Sequence, residues 1–342
     1  MSYTNDYLTA VGNDIAADDD ALTEARARLL LVRGIAQNFN GAQRTYASGS
    51  LAQQTINDPV TDGDGGLVLN RTYYPQLGPD GGEETPNAVA AELCALLGPE
   101  IRITYPKARC GTSKRGPKIT FGAPVNGQDP SVDLVVALTR RKGSGLWIPN
   151  LEMERWEASD PERHVELIND GTVSLRSTRR RIIRLAKAWN KQWTQPGLSS
   201  FHLSALALEH VSPGMSLATG LHAVFDGGAR FLATGCNTPD PADVSKPLSL
   251  MKGVTRDVVV QRLSAAASAM ADALAHDDDE AAVQSALHKV FRNYVEASVT
   301  DRLAVVVAAL RTRKPVTTAS LGLAGPSVAV KPTRAFGEHA AS

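Results

Sequence analysis

The most constraining feature of the sequence is an acid placed where an acid is expensive. In Pro130-Ser-Val-Asp-Leu-Val-Val-Ala-Leu138, the side chains of Val132, Leu134, Val136 and Leu138 alternate onto one face of a predicted strand and leave Asp133 on the other. A carboxylate inside a Val/Leu-rich strand is costly to bury unless it is paired or bound to a metal. The fold must therefore bring a partner to it. Upstream, Asp62-Gly-Asp64 has the spacing of two that sets both carboxylates on one side of a strand. Two such groups repel each other unless a cation lies between them. Hard oxygen ligands beside phosphates suit Mg²⁺, with Mn²⁺ as an alternative. Three acids could hold two ions roughly 3.5–4 Å apart, one activating an attacking hydroxyl and one neutralising a leaving pyrophosphate.

The phosphate side of this reading comes from Tyr46-Ala-Ser-Gly-Ser-Leu51. Gly49 permits a tight bend that lets backbone N–H groups and the Ser50 hydroxyl face a phosphate. A calcium loop is the competing reading of Asp-Gly-Asp-Gly, and it fails: no acid occurs between Asp64 and Asp80, and position 73 is Tyr rather than the closing Glu. The glycines Gly63, Gly65 and Gly66 suggest a pliable loop around the two acids.

At 342 residues a single core gives way to two. The predicted architecture is α+β and bilobal: residues 1–165 form a mixed α/β lobe with an N-terminal helix over Ala21 to Phe39, residues 166–313 a helical lobe, and residues 314–342 a flexible tail. Strands are expected at Gly66 to Asn70, Arg102 to Tyr105, Lys118 to Phe121 and Val132 to Leu138. Helices are expected at Pro86 to Leu97, Glu162 to Asn169, Leu175 to Trp193, Ser200 to His210, Met215 to Phe225, Asp257 to His276 and Glu280 to Leu310, with Pro149 to Pro161 a turn-rich connection.

Lys plus Arg equal Asp plus Glu at 36 each, so the whole molecule has no bulk charge for coating nucleic acid or an anionic membrane. Cys94, Cys110 and Cys236 form no CxxC pair and no complete disulfide framework, as expected of a reducing compartment without structural zinc. With no signal sequence and no apolar run approaching the roughly 18 residues of a membrane span, the expected location is the cytoplasm.

Charge does gather locally. On a helix from Leu175 to Trp193, at roughly 100° per residue, Arg180, Arg184, Lys187 and Lys191 fall on one stripe, and Ile182, Leu185, Ala186, Trp189 and Trp193 on the opposite one. The apolar stripe should face the core, and a polyphosphate would balance the basic one. Ser199 and Ser200, at the start of the next helix, offer donors to the same phosphates.

These residues resemble the bacterial cyclic-oligonucleotide synthases, relatives of cyclic GMP-AMP synthase and oligoadenylate synthase in the polymerase-beta-like nucleotidyltransferase superfamily. The resemblance covers roughly residues 1–310. It rests on Gly49-Ser50, Asp62-x-Asp64 and Asp133, on Leu146-Trp-Ile-Pro149 followed by Trp156 and Asp160-Pro161, and on Lys187-Ala-Trp189 with Ser200-Phe201. It implies a mixed sheet flanked by helices and closed by an oligoadenylate-synthase-like helical lobe. By the same resemblance, Asp62, Asp64 and Asp133 are the catalytic metal-binding triad, Gly49 and Ser50 hold the donor's β- and γ-phosphates, Lys187 is the triphosphate-binding lysine and Ser200 its companion. The implied substrates are nucleoside triphosphates, ATP, GTP or pyrimidine nucleotides. The implied product is a cyclic di- or trinucleotide messenger that switches on a separate effector in defence against phage. Members with companion conjugation enzymes present a tail ending in small residues, as Ala340-Ala341-Ser342 does here. Trp156, Asp160 and His164 are assigned structural roles. Two other readings stay open: a nucleotidyltransferase that makes linear oligonucleotides or modifies RNA, using the basic cluster Lys107, Arg109, Lys114 and Arg115 as a groove, and a non-catalytic regulator that binds nucleotide or a phage product.

Overall fold

The structure, a computed structural model, describes residues 2–79, 81, 86–299, 302–303, 307 and 311, and the backbone of 316–317 and 329–330. The chain begins with α1 (Tyr3–Asp14) and α2 (Asp19–Ala36), then alternates β1 (Ala42–Ser48), α3 (Gly49–Gln53), β2 (Asp62–Leu69), α4 (Pro86–Thr104), β3 (Arg109–Ser113), β4 (Gly116–Thr120), β5 (Ser131–Thr139), β6 (Leu146–Asn150) and β7 (Arg155–Ser159). Helices α5 (Pro161–Asn169), α6 (Val173–Lys191), α7 (Ser200–His210), α8 (Leu217–Ala233), α9 (Arg256–Ala275) and α10 (Glu280–Val290) follow. The expected tail over 314–342 lies outside the described residues, except that β8 (Val316–Thr317) and β9 (Ala329–Val330) pair antiparallel.

Among the described residues seven strands form one mixed sheet in the order β1-β2-β5-β4-β3, with β6 on β5 and β7 on β6. The β2–β5 pair is parallel and the other pairs are antiparallel. A parallel pair needs a long crossover, which α4, β3 and β4 supply. Helices α2 and α4 cover one face, burying Leu29, Val32, Leu93, Leu97 and Ile101 against Leu67, Leu69, Val132, Leu134 and Val136. Gly63 and Gly65 lie inside β2 and not in a pliable loop. A Cβ on Gly65 would crowd Leu29 and the Tyr46 carbonyl, so the bare backbone there is what lets α2 sit close to the sheet.

The second core is helical, built from α5 to α10 around Ile182, Trp189, Leu206, Leu221, Phe225, Leu263 and Leu287. It also takes in Leu8, Val11 and Ile15, so α1 packs into the helical core although it opens the chain. By length and composition α9 is apolar enough to cross a membrane, at mean hydropathy 1.2, a segment that the expectation of no span-length apolar run passed over. Its Val259, Leu263, Ala266, Met270 and Ala273 are buried in this core.

Several boundaries differ from the sequence reading, two of them for identifiable reasons. The strand expected over Arg102 to Tyr105 is the end of α4: Ile101 falls on the same buried face as Leu93 and Leu97, and that packing overrides the β-preference of Ile and Thr. The helix expected to run to Leu310 stops at Val290, where the chain turns and Phe291 is buried in the helical core. The segment read as turns at 149–161 contributes to the β6–β7 hairpin.

Candidate active site

The sheet places the acids by register. In the parallel pairing, Asp64 of β2 lies beside Asp133 of β5, and Asp62 beside Ser131. On the far side of β5, Lys118 of β4 lies beside Asp133, and on the near side Ser48 of β1 lies beside Asp64. One row across four strands thus reads Ser48, Asp64, Asp133, Lys118. One oxygen from each of Asp62, Asp64 and Asp133 can be chosen so that all lie within 4.8 Å of one another.

The electrostatics of the cluster are those of a site built for a cation. Burial, with Asp62 and Asp133 adding to it, pushes the Asp64 carboxyl up to about 7, against an ordinary value of 3.8. Lys118 offsets part of this, its Nζ donating to Asp133 Oδ2 at 2.8 Å. The donor set consists of three carboxylates, the hard ligands that Mg²⁺ and Mn²⁺ take. The residues fit such an ion, and Asp62, Asp64 and Asp133 would hold it.

The Gly49-Ser50 turn stands directly against the acids. Gly49 has φ +65°, and a Cβ there would run into the Asp64 carboxylate. Glycine at this position is thus required twice, for the left-handed backbone and for the space that Asp64 occupies. A cavity of about 430 Å³ opens above this turn, lined by Gly49, Ser50, Asp62, Asp64, Pro161, His164, Lys187, Lys191, Ser200 and Phe201 among others. The structure therefore gathers Gly49, Ser50, Asp62, Asp64, Lys187 and Ser200 around one cleft, with Asp133 joined to it through the acid cluster.

The basic stripe of α6 has a different employment from the one its spacing suggests. Arg180 donates to Gln54 Oε1 at 2.7 Å and Asn169 Oδ1 at 2.6 Å, and Arg184 to Asn57 Oδ1 at 3.1 Å and to the Gly12 and Ile15 carbonyls. These two arginines hold α6 against the chain that follows α3, and so join the two cores instead of waiting for phosphate. Lys187 and Lys191 reach the cleft. Lys187 is buried, with its Nζ donating to the Thr55 carbonyl at 3.0 Å and to Thr55 Oγ1 at 3.1 Å, and burial pushes its ammonium down to about 8.

The apolar stripe is as phased except at Trp193. Trp189 is 3% exposed and packs on Phe225 with ring centroids 4.8 Å apart. Trp193 departs from the core expectation: it is half-buried, with the guanidinium groups of Arg262 and Arg292 over its ring at 4.2 and 4.3 Å from the ring centre. Replacing Trp189 by alanine should cost about 3–5 kcal/mol of folding free energy, read as a lower midpoint in urea unfolding.

His164 lines the cleft, and its partner behind it, Asp240, is the residue that the sequence concealed. Asp160 caps α5 by accepting from Arg163 N. His164 donates from Nε2 to Asp240 Oδ1 at 2.6 Å and packs against Phe201 at 4.4 Å between ring centres. Asp240 also accepts from the backbone N–H groups of Ala242, Val244 and Ser245, and the Ser245 contact, His164 and the Ala242 contact keep its carboxyl below the ordinary range against the pull of burial. Asp240 sits in the α8–α9 loop, 76 residues from its partner, and carries no local signal.

The shift on Asp64 sets a pH dependence. Its folded value lies above its unfolded one, so between about 4 and about 7 the folded chain keeps a proton that the unfolded chain has released. The Asp64 contribution to stability therefore falls as pH rises through that window. A cation that needs the carboxylate should bind about tenfold more weakly at about pH 6 than at about pH 8, measurable by Mn²⁺ titration followed by electron paramagnetic resonance.

No protein-family model matches the sequence, and no curated protein does. Solved structures do match. CdnC of E. coli MS115-1, solved with ATP, superposes with TM-score 0.61 at 15% identity, covering 87% of this chain and 99% of that one. The CD-NTase CdnG of Bradyrhizobium diazoefficiens, solved with GTP, gives 0.61 at 15% identity over 83% of this chain and 94% of that one. DncV of Vibrio cholerae in its apo form gives 0.60 at 15% identity over 86% and 96%. At this identity what is shared is architecture, and the chain has the polymerase-beta-like fold of the bacterial CD-NTases: a mixed sheet with flanking helices, facing a helical lobe.

Proposed function

We propose that the chain is a metal-dependent nucleotidyltransferase that joins nucleoside triphosphates into a cyclic di- or trinucleotide with release of pyrophosphate. The observation that carries this reading is the cluster of Asp62, Asp64 and Asp133 within 4.8 Å, in a protein of CD-NTase fold, with Gly49, Ser50, Lys187 and Ser200 lining the adjoining cleft. ATP and GTP occupy the CdnC and CdnG structures of the same fold, which supports nucleoside triphosphates as substrates here.

Asp62, Asp64 and Asp133 would hold one or two Mg²⁺ or Mn²⁺ ions. Bound there, the ions would lower the pKa of the acceptor hydroxyl and neutralise charge on the departing pyrophosphate. The Gly49-Ser50 turn would carry the donor's β- and γ-phosphates, with the Lys187 ammonium and the Ser200 hydroxyl reaching them from the helical lobe. Asp133 would accept the proton of the attacking hydroxyl. Positioning and charge neutralisation would supply most of the acceleration. The product would act in the cytoplasm as a messenger to a separate effector in anti-phage defence, and conjugation of the C-terminal tail would be one route of control.

The polymer-acceptor reading loses ground because its basic cluster is partly spent: Arg115 pairs with Glu157 at 2.7 Å and Lys114 approaches Glu152 at 4.0 Å. A binding-only role gives no reason to keep three acids together at the cost visible in Asp64. The test is incubation with labelled nucleoside triphosphates and Mg²⁺ or Mn²⁺, followed by phosphatase treatment and mass analysis. Phosphatase-resistant products with the mass of a cyclic di- or trinucleotide are expected. Linear, phosphatase-sensitive products would favour the polymer reading, and unchanged triphosphates the binding one. In the same assay Lys187→Met should raise the KM for triphosphate at least tenfold, the loss of one charge-assisted contact.

A further inference from the structure

The three cysteines are not equally placed. Cys94 lies near the middle of α4 and Cys110 on β3, the edge strand of the sheet. A turn at Tyr105 to Ala108, closed by Ala108 N donating to the Tyr105 carbonyl, returns the chain along α4. The two thiols, 16 residues apart in sequence, thereby meet with Sγ atoms 3.0 Å apart. Both are free and half-buried, whereas Cys236 is exposed. Because each sulfur is carried on a regular element packed against the other, their approach belongs to the tertiary fold.

We propose that Cys94 and Cys110 are a reversible thiol–disulfide site, oxidised by small disulfides such as oxidised glutathione to a cross-link that staples edge strand β3 to α4. The chemistry is two exchanges. The Cys94 thiolate attacks one sulfur of oxidised glutathione, forming a mixed disulfide and releasing one glutathione thiolate. Cys110 gives up its proton to solvent, attacks the Cys94 sulfur and expels the second glutathione. Two protein thiols and one oxidised glutathione become one protein disulfide and two reduced glutathiones, so atoms and electrons balance.

The neighbourhood suits that order of attack. Cys94 accepts the S–H of Cys110, which holds the Cys94 thiol below its ordinary value, while the same hydrogen bond and burial push Cys110 up. Cys94 is therefore the nucleophile and Cys110 the resolving thiol. The consequence for the sheet follows from register. Cys110 pairs with Ile119, and the next residue of β4 toward the hairpin turn is Lys118, which holds Asp133. A cross-link at Cys110 would restrain the β3–β4 hairpin on the side of the sheet covered by α4, away from the cleft. Its half-buried sulfurs leave it open to reduction, as suits a responsive disulfide rather than a structural one.

The inference is independent of the proposed activity. Its test uses the full chain, incubated with oxidised glutathione and mapped by non-reducing peptide mass spectrometry. A Cys94–Cys110 cross-link with loss of two hydrogens is expected, with glutathione retained on Cys236 alone. The oxidised chain should melt several degrees higher than the reduced one, and dithiothreitol should reverse this. Cys94→Ser and Cys110→Ser should each abolish both the cross-link and the shift, and in Cys110→Ser the glutathione should stay on Cys94. A stable glutathione adduct on Cys94 or Cys110 in the unsubstituted chain would overturn the proposal. So would two unreacted thiols after Cys236 has been modified. A cross-link that leaves the melting temperature unchanged would overturn the staple.

Discussion

Asp62→Asn, Asp64→Asn and Asp133→Asn should each lower nucleotide-joining activity on the order of a thousandfold, equivalent to ~4 kcal/mol of lost transition-state stabilisation. The motivation is geometric: the three carboxylates converge within 4.8 Å, and the parallel register sets Asp64 directly beside Asp133. Because the groups act as a unit, double variants should fall little further than single ones. Stability should move the other way for Asp64→Asn. Without metal, the amide removes a carboxyl that its neighbours and its burial oppose, so this variant should melt no lower than the parent at neutral pH and should lose the stabilisation that added Mg²⁺ gives the parent. Gly49→Ala provides a check from outside the triad. Its methyl group would displace the Asp64 carboxylate and strain a left-handed backbone position, so activity should fall with every acid still present. Single-turnover assays with labelled nucleotide, alongside thermal melts, read both effects. Near-normal turnover in any one aspartate variant would remove that residue from the site.

A large loss of stability, as great as that for Trp189, should come from Arg28, which is 0% exposed in the core of the sheet lobe. Its guanidinium donates to Glu24 Oε1 at 2.9 Å, to Asp129 Oδ1 at 2.6 Å, to the Pro130 carbonyl at 2.8 Å and to the Ala123 carbonyl. It also lies over the rings of Phe121 and Tyr105, at 4.5 and 5.4 Å. Truncation to alanine would leave buried carbonyls and a carboxylate without their donor and should cost about 3–5 kcal/mol. Lysine should not rescue it, because a single ammonium cannot reproduce four directed contacts from a planar fork. The segment Arg28 holds runs from Ala123 to Pro130 and leads into β5, whose third residue is Asp133. Activity should therefore fall along with stability, while Arg26→Ala, on an exposed face of the same helix, should leave both near normal. Urea unfolding of the three variants measures the order.

Arg28 also marks where sequence reasoning stops. A helical period over Leu22, Ala25, Leu29, Val32 and Ala36 is legible in the sequence of α2, and all of these are buried except Leu22, which is half-buried. Helical phase places Arg28 on that same face and Arg26 off it, but nothing local names its partner Asp129, 101 residues away. The same limit applies to α6. Its helical phase could be read from a 3.6-residue period, and Trp189 is in the core as phased. That Arg180 and Arg184 would join the two cores, and that Lys187 would be buried against Thr55, depended on what packs opposite.

The alternation of a strand is a property of the backbone, so the sequence alone determined that Asp62 and Asp64 share a face and that Asp133 points away from its apolar neighbours. Turn chemistry likewise made Gly49 recognisable as a bend. Tertiary structure decided which strands are neighbours and in what register, and only then did two acids on β2 and one on β5 become a cluster, with Lys118 of β4 beside it. It also decided the meeting of Cys94 with Cys110 and of His164 with Asp240. Local periodicity reports which way a side chain points relative to its own element, whereas its partner is set by the packing of whole elements, a long-range property that no short window of sequence contains.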